Sequence, residues 1–418
     1  MNSLSILKKY FPDHFPALKE KNFRYFWSGQ CVSLLGTWMQ RTAQQWLVYS
    51  LTKSPLLLGL LGVVQFTPML FLSLFAGVFI DRFNKKKVLI VTQSILMLLA
   101  FILAFLVWTG IVQYWQILVL AGIMGIVNTV DMPTRQSFIP ELVEKKSMIN
   151  AIGLNSSVVN VARILGPALA GYVMVRFGPT LCFFLNGISF IAVIIGIILI
   201  KPSHSYIRKQ SKNVFMDLKE GLKYIKSNKT ILIAILSLFA VGTFSMNSDV
   251  IIPAFASVVL HKGATGYSIL LSVMAVGSLI AALTVATRSK KGPSKKLIYW
   301  SSILVCLSQI ALFFIHAYFI SLIVLAFVGF FTIAFSASVN SIIQLNTSNA
   351  YRARVMSVYT LAFNGTTPIG NIFAGAIAEK YGPNFGFFGC GVVALIFMVA
   401  ILGLFKINIF SSSKNKRI

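Results

Sequence analysis

Apolar residues come in runs of about 20 along this chain, punctuated by short stretches of charged and small residues. Ile95–Trp108 with its flanks and Phe183–Ile200 are two such runs. A helical run of this length matches the hydrocarbon core of a bilayer, which is about 30 Å thick. The pattern predicts twelve spans, near residues 26–50, 55–80, 88–108, 114–131, 149–174, 180–200, 231–255, 267–287, 297–315, 319–341, 354–377 and 384–405. The chain is expected to be an all-α membrane protein of twelve transmembrane helices.

Composition agrees. Of 418 residues, 57% are hydrophobic and only 11% charged, where a soluble domain carries about a quarter charged residues. Mean hydropathy is +0.81. Soluble, disordered, collagen-like and disulfide-stapled classes are excluded. The four cysteines, Cys31, Cys182, Cys306 and Cys390, fall in four different spans without close spacing, which fits apolar packing. The four histidines are scattered, so neither a metal site nor any other cofactor is expected.

The net charge of +27 would suggest nucleic acid in a soluble protein. Here its distribution decides. Thirty-one Lys and Arg fall in the tails and in the loops after even-numbered spans, and four (Lys53, Arg176, Lys262, Lys380) on the other side. That bias places both termini in the cytoplasm and reads as an orientation signal that can also touch anionic membrane lipid, rather than as a nucleic-acid footprint. No short apolar region ending in small residues opens the chain, so the first span is expected to serve as the signal.

The sequence also repeats. At an offset of 204, Gly166, Ala170, Gly171, Gly178, Pro179, Phe183, Phe184 and Gly187 fall on Gly370, Ala374, Gly375, Gly382, Pro383, Phe387, Phe388 and Gly391. A weaker match at 206 sets Gly36-Thr37 on Gly242-Thr243. The expected organisation is an N-terminal six-helix half (1–200), a basic cytoplasmic linker (201–230) and a C-terminal half (231–418).

The loop after span 2 contains Gly77, Asp81-Arg82 and Lys85-Lys86-Lys87. It resembles the major facilitator loop signature G-x-x-x-D-R-x-x-[RK]-[RK]. Parallel six-helix repeats are the layout of that superfamily. Gly166-Pro167 with Gly171 in span 5 partly resembles the Gly-Pro segment of family exporters; a purely structural kink is the other reading. Three further stretches resemble the macrolide-efflux and enterobactin-exporter branch: Asn22–Tyr49, Asp131–Leu142 and Arg352–Asn371. The resemblance implies a major facilitator fold, a transporter rather than an enzyme, and a bacterial inner membrane as its location. It also implies a cytoplasmic gate built around Gly77, Asp81 and Arg82, which Asp131 and Arg135 are expected to join.

Ionisable groups inside spans cost about 3 kcal/mol each on insertion scales, so each is a functional candidate. Arg41 in span 1 and Asp249 in span 7 lie at similar depth, because Arg41 plus 206 is Asn247. They are expected to pair when the outer side is closed. An opposite charge favours an ionised carboxylate and desolvation a neutral one, so Asp249 is the candidate proton site; simple solvation at the outer boundary is the alternative. Arg163 is a candidate for an anionic substrate or for a structural role. Gln40, Gln44, Asn247, Asn340 and Asn364 complete the expected cavity. The expectation is a monomeric, proton-coupled exporter of a small amphipathic molecule, a macrolide-like drug or a siderophore. A lysolipid flippase without proton coupling is the alternative.

Overall fold

The computed structural model describes residues 15–201, 214–288, 295–348 and 351–405; the side chains of 73–82, 214–218, 288, 353 and 364 lie outside that description. Every predicted span is helical. In chain order the helices are α1 (Lys21–Thr52), α2 (Pro55–Arg82), α3 (Lys85–Trp108), α4 (Tyr114–Phe138), α5 (Met148–Phe177), α6 (Pro179–Leu199), α7 (Val214–Ser227) and α8 (Lys229–Ser245). They continue as α9 (Ser248–Ala254), α10 (Ala264–Arg288), α11 (Lys295–Leu312), α12 (Tyr318–Asn346), α13 (Arg352–Asn364), α14 (Thr367–Tyr381) and α15 (Pro383–Leu404). Among the described residues nine segments are long and apolar enough to cross a membrane. α1 is not among them, because its glutamines and Arg41 lower its hydropathy.

Three features depart from the continuous spans expected. Span 7 is broken at Met246–Asn247 into α8 and α9, and a π turn follows at Phe255–Val259. Span 11 is broken at Gly365–Thr366 into α13 and α14. The linker holds a helix of its own, α7. The proline of span 5 makes no such break: α5 runs unbroken through Pro167.

Local signals explain several helix ends. Asn84 and Asn228 cap α3 and α8, the Asn228 side chain accepting from Thr230 and Ile231 amides at 3.1 and 3.2 Å. Gly178 and Gly382 end α5 and α14 at φ of +78° and +102°, where an L side chain is strained. Each is followed by a proline at the first position of the next helix, where its missing N–H costs nothing.

Two compact units emerge. One holds residues 1–53, 64–211 and 262–272, the other 54–63, 212–261 and 273–418. In the first, α1 packs on α5 and α6, and α3 on α4 and α6. In the second, α8 packs on α13, α14 and α15, and α11 on α12 and α15. These are the same pairings one repeat later.

The repeated glycines serve those pairings. A Cβ on Gly166 would meet Trp38 and the Met39 amide of α1; one on its counterpart Gly370 would meet the Thr243 carbonyl and Asn247. Gly171 and Gly375 serve a second repeated contact: Gly171 lies against Ser268 of α10, and Gly375 against Pro55 and Leu56 of α2. Small residues let membrane helices approach closely enough to pack. The sequence repeat is therefore a repeat of helix contacts.

Candidate functional site

In the first unit, a polar cluster sits where α1, α3 and α4 meet, towards their basic ends. Asp131 is 2% exposed. Its Oδ1 accepts from the Thr92 hydroxyl at 2.6 Å and from Gln93 Nε2 at 2.7 Å. Its Oδ2 faces Arg135 Nε at 2.5 Å, one turn along α4. Arg135 also donates from Nη1 to Gln30 Oε1 of α1. One carboxylate thus ties three helices together. Asp131 and Arg135 come together as the sequence suggested, while Asp81 and Arg82 carry side chains outside the described residues. The glutamines Gln30 and Gln93 were not anticipated. Their signal was available: Gln30 stands in an otherwise apolar stretch of span 1, and Gln93 in the apolar run of span 3.

The lysines of the signature loop tie neighbouring helix ends together. Lys85 Nζ reaches Glu141 Oε1 at 2.6 Å and the Ser137 carbonyl at 3.2 Å. Lys86 Nζ binds the Ile198 and Ile200 carbonyls at 2.9 and 2.6 Å. A cation there satisfies orphan carbonyls and complements the negative end of α6. Beside them Phe23, Phe26, Leu89, Phe138, Ile139 and Ile197 form a buried apolar cluster.

Three of the expected cavity residues of the first unit are placed otherwise or more precisely. Gln40 Oε1 accepts from Asn186 Nδ2 of α6 at 2.8 Å, and only 7% of Gln40 is exposed. It bonds α1 to α6. Gln44 is buried. Arg163 Nη2 donates to Asn160 Oδ1 at 2.9 Å on its own helix. The Arg41 guanidinium stands 5.2 Å from the Trp38 ring centre, a cation–π distance. Gln45, outside the expected set, accepts from the Tyr267 hydroxyl at 2.9 Å, and Trp46 stacks on the same ring at 5.5 Å.

In the second unit, the break between α8 and α9 is the focus. It frees backbone groups that buried partners must satisfy. Gln309 of α11 does so reciprocally: its Nε2 donates to the Ser245 carbonyl at 2.7 Å, and its Oε1 accepts from the Ser245 hydroxyl at 2.6 Å. Asn247 is 2% exposed and donates to the Thr243 carbonyl. Asp249 follows in the first turn of α9, half-buried, where the dipole favours a carboxylate. Asn340 accepts from Gln344 Nε2 at 2.6 Å on α12. Asn364 has a side chain outside the described residues.

Gln309→Leu removes both partners of Ser245 and leaves its carbonyl buried. A buried unsatisfied group costs about 1–3 kcal/mol. A clear fall in the melting temperature of the purified protein is expected, measured by fluorescence on heating in detergent.

At the end of the second unit away from the basic loops, Glu379 of α14 accepts from the Ser54 hydroxyl at 2.7 Å and from the Leu56 amide at 3.4 Å. Ser54 also accepts from the Leu57 amide at 3.1 Å. The first turn of α2 is thereby capped by a carboxylate from a distant part of the chain.

Comparison with known proteins fits this architecture. The family described as transmembrane secretion effectors matches residues 13–417. The staphyloferrin A transporter of Staphylococcus aureus is 26% identical, over 86% of this chain and 90% of its own length. Macrolide efflux protein A of Streptococcus pyogenes is 22% identical over 91% and 94%. The multidrug efflux pump Tap of Mycolicibacterium fortuitum is 22% identical over 86% and 90%. Among solved structures, a mutant of the nucleoside transporter NupG aligns with a TM-score of 0.75 at 14% identity, covering 92% of this chain and 99% of its own. A bacterial homologue of the lysosomal transporter Spinster aligns at 0.70 and 15%, covering 92% and 96%. These likenesses establish the major facilitator fold, and the family establishes a membrane transporter rather than an enzyme. The chain belongs to the transmembrane secretion effectors of the major facilitator superfamily.

Proposed function

We propose that this transporter exports a small amphipathic molecule in exchange for protons, by alternating access of its two repeats, residues 1–200 and 231–418. The relatives named for macrolide efflux, multidrug efflux and staphyloferrin A support a drug or siderophore as cargo. The observation that carries proton exchange is Asp249. It is the one acidic residue in the predicted spans away from their basic ends, and it follows directly on a helix break. Broken helices are where transporters of this kind place substrate and coupling-ion sites. A carboxylate that exchanges an arginine for water, or water for an apolar wall, changes its proton affinity with each state. Arg41, at equivalent depth in the other repeat, is its partner in this reading. Gln40, Gln44, Arg163, Asn247, Asn340 and Asn364 supply polar groups to the substrate path, and Asp131 with Arg135 belongs to the cytoplasmic gate. Both termini are cytoplasmic in the same reading, as the charge bias of the loops supports.

The test is accumulation of a labelled macrolide in efflux-deficient bacteria, with and without a protonophore. The wild type is expected to lower accumulation, and the protonophore to restore it. Asp249→Asn is expected to abolish proton-dependent export while the protein still reaches the membrane. Proton dependence unchanged in Asp249→Asn sinks the assignment of that residue. Export that a protonophore leaves untouched favours the lipid flippase. No change in macrolide accumulation moves the cargo to siderophores.

A further inference from the structure

We propose that α7 is a docking surface for anionic phospholipid, held against the transporter by one face and presenting the opposite face to the charged surface of the bilayer.

The inner face is fixed by four neighbouring contacts. Tyr224 stacks on Tyr351 at 4.6 Å with an interplanar angle of 17°. Its hydroxyl accepts from the Ser348 amide at 3.2 Å, which holds the phenol below its ordinary range. Glu220 pairs with Arg354 Nη1 at 2.9 Å, and Gly221 lies against the Arg354 backbone. Ile225 is 2% exposed. Residues 220, 221, 224 and 225 share one side of a helix with 3.6 residues per turn.

Residues 219, 222, 223 and 226 share the other side by the same period. They are Lys219, Leu222, Lys223 and Lys226, and all four are exposed, Leu222 by 48%. Glu220, the acid among the described side chains of this helix, is paired with Arg354. Among the described side chains the outer face therefore carries three lysines around one leucine. Its level matters too. Tyr351 and Arg354 flank the start of α13, Ser348 follows the end of α12, and α8 begins two residues after α7. The helix thus lies at the ends of three spans, where a bilayer surface lies. Lysine stems lie along apolar surface with their heads in water. A lysine cluster on an amphipathic helix is attracted to anionic lipid by about one factor of five per residue near the surface. An acidic protein would meet the charge but gives no reason for an exposed leucine among the lysines.

The experiment uses the full chain in nanodiscs of phosphatidylcholine alone, or of an equimolar mixture with phosphatidylglycerol. A bimane label is attached at Leu222→Cys in a Cys31→Ser background, the other three cysteines being buried. Bimane emission is expected to shift to the blue only with phosphatidylglycerol, and high salt is expected to reverse the shift. A second measurement keeps Leu222: native mass spectrometry of phosphatidylglycerol retained on the unlabelled protein. Lys219, Lys223 and Lys226 changed together to Gln are expected to cut retention on the order of a hundredfold relative to phosphatidylcholine at low salt. Lys53→Gln with Lys380→Gln, at the opposite end, is expected to leave it unchanged. Equal emission in both nanodiscs, equal retention by the triple variant, or full displacement by inorganic phosphate each overturns the proposal. None of these readouts depends on what the transporter carries.

Discussion

Asp131→Asn is expected to be the most damaging conservative change in the first unit. Asparagine keeps an oxygen for Thr92 and Gln93, but its amide then faces the Arg135 guanidinium, a donor against a donor. Arg135 is left with its charge uncompensated and its side chain 19% exposed. Breaking a buried pair from one side costs about 3–5 kcal/mol. Loss of folded protein from the membrane is the expected outcome, measured as the monodisperse fraction on detergent extraction and as the thermal midpoint. The double variant Asp131→Asn with Arg135→Gln is expected to recover much of the loss, since no buried charge then remains. If the single variant matches wild type in both measurements, the cluster does not hold α1, α3 and α4 together.

The same cluster shows what the sequence could and could not convey. A helical period of about 100° per residue joins Asp131 to Arg135 without further help, because residues four apart share a face. Nothing local joins them to Gln30 or Gln93, which arrive from 105 and 38 residues away. The apolar runs located the helices well because hydrocarbon thickness sets their length. They failed at the breaks of spans 7 and 11, since hydropathy does not register a change in backbone direction. Asn247 and Gly365 were the available hints. Gln40 has a partner that no local signal announces: the buried amide of Asn186, 146 residues away, donates to it. The amphipathic α7 was hidden by its lysines, which made residues 201–230 look like a simple charged linker. The glycines carried more information than their frequency suggested. Gly277, which falls outside the repeat, and Gly329, which falls on Gly125 at the offset of 204, press α10 and α12 onto each other's carbonyls at Ala326 and Met274.

Gly370→Ala is expected to be far more harmful than alanine at a comparable helical glycine. A Cβ at this position meets the Thr243 carbonyl and both terminal atoms of the Asn247 side chain. None of these can move cheaply. The carbonyl is backbone, and Asn247 is buried at the break and bonded to that same carbonyl. Relief therefore requires α14 to withdraw from α8, which also opens the buried surface of Ala374 one turn on. Overpacking of this kind costs about 1–3 kcal/mol even where the neighbours are side chains. Gly153 and Gly403 provide the contrast, since an added methyl meets nothing within 4 Å at either. Alanine there removes glycine's entropic penalty and is expected to stabilise by about 0.5–1 kcal/mol. The measurement is the thermal midpoint of the three purified variants side by side. A fall at Gly370 with a rise at Gly153 and Gly403 ties the repeated glycines to helix contact. A fall of equal size at all three would mean that alanine harms these helices for a reason unrelated to close approach.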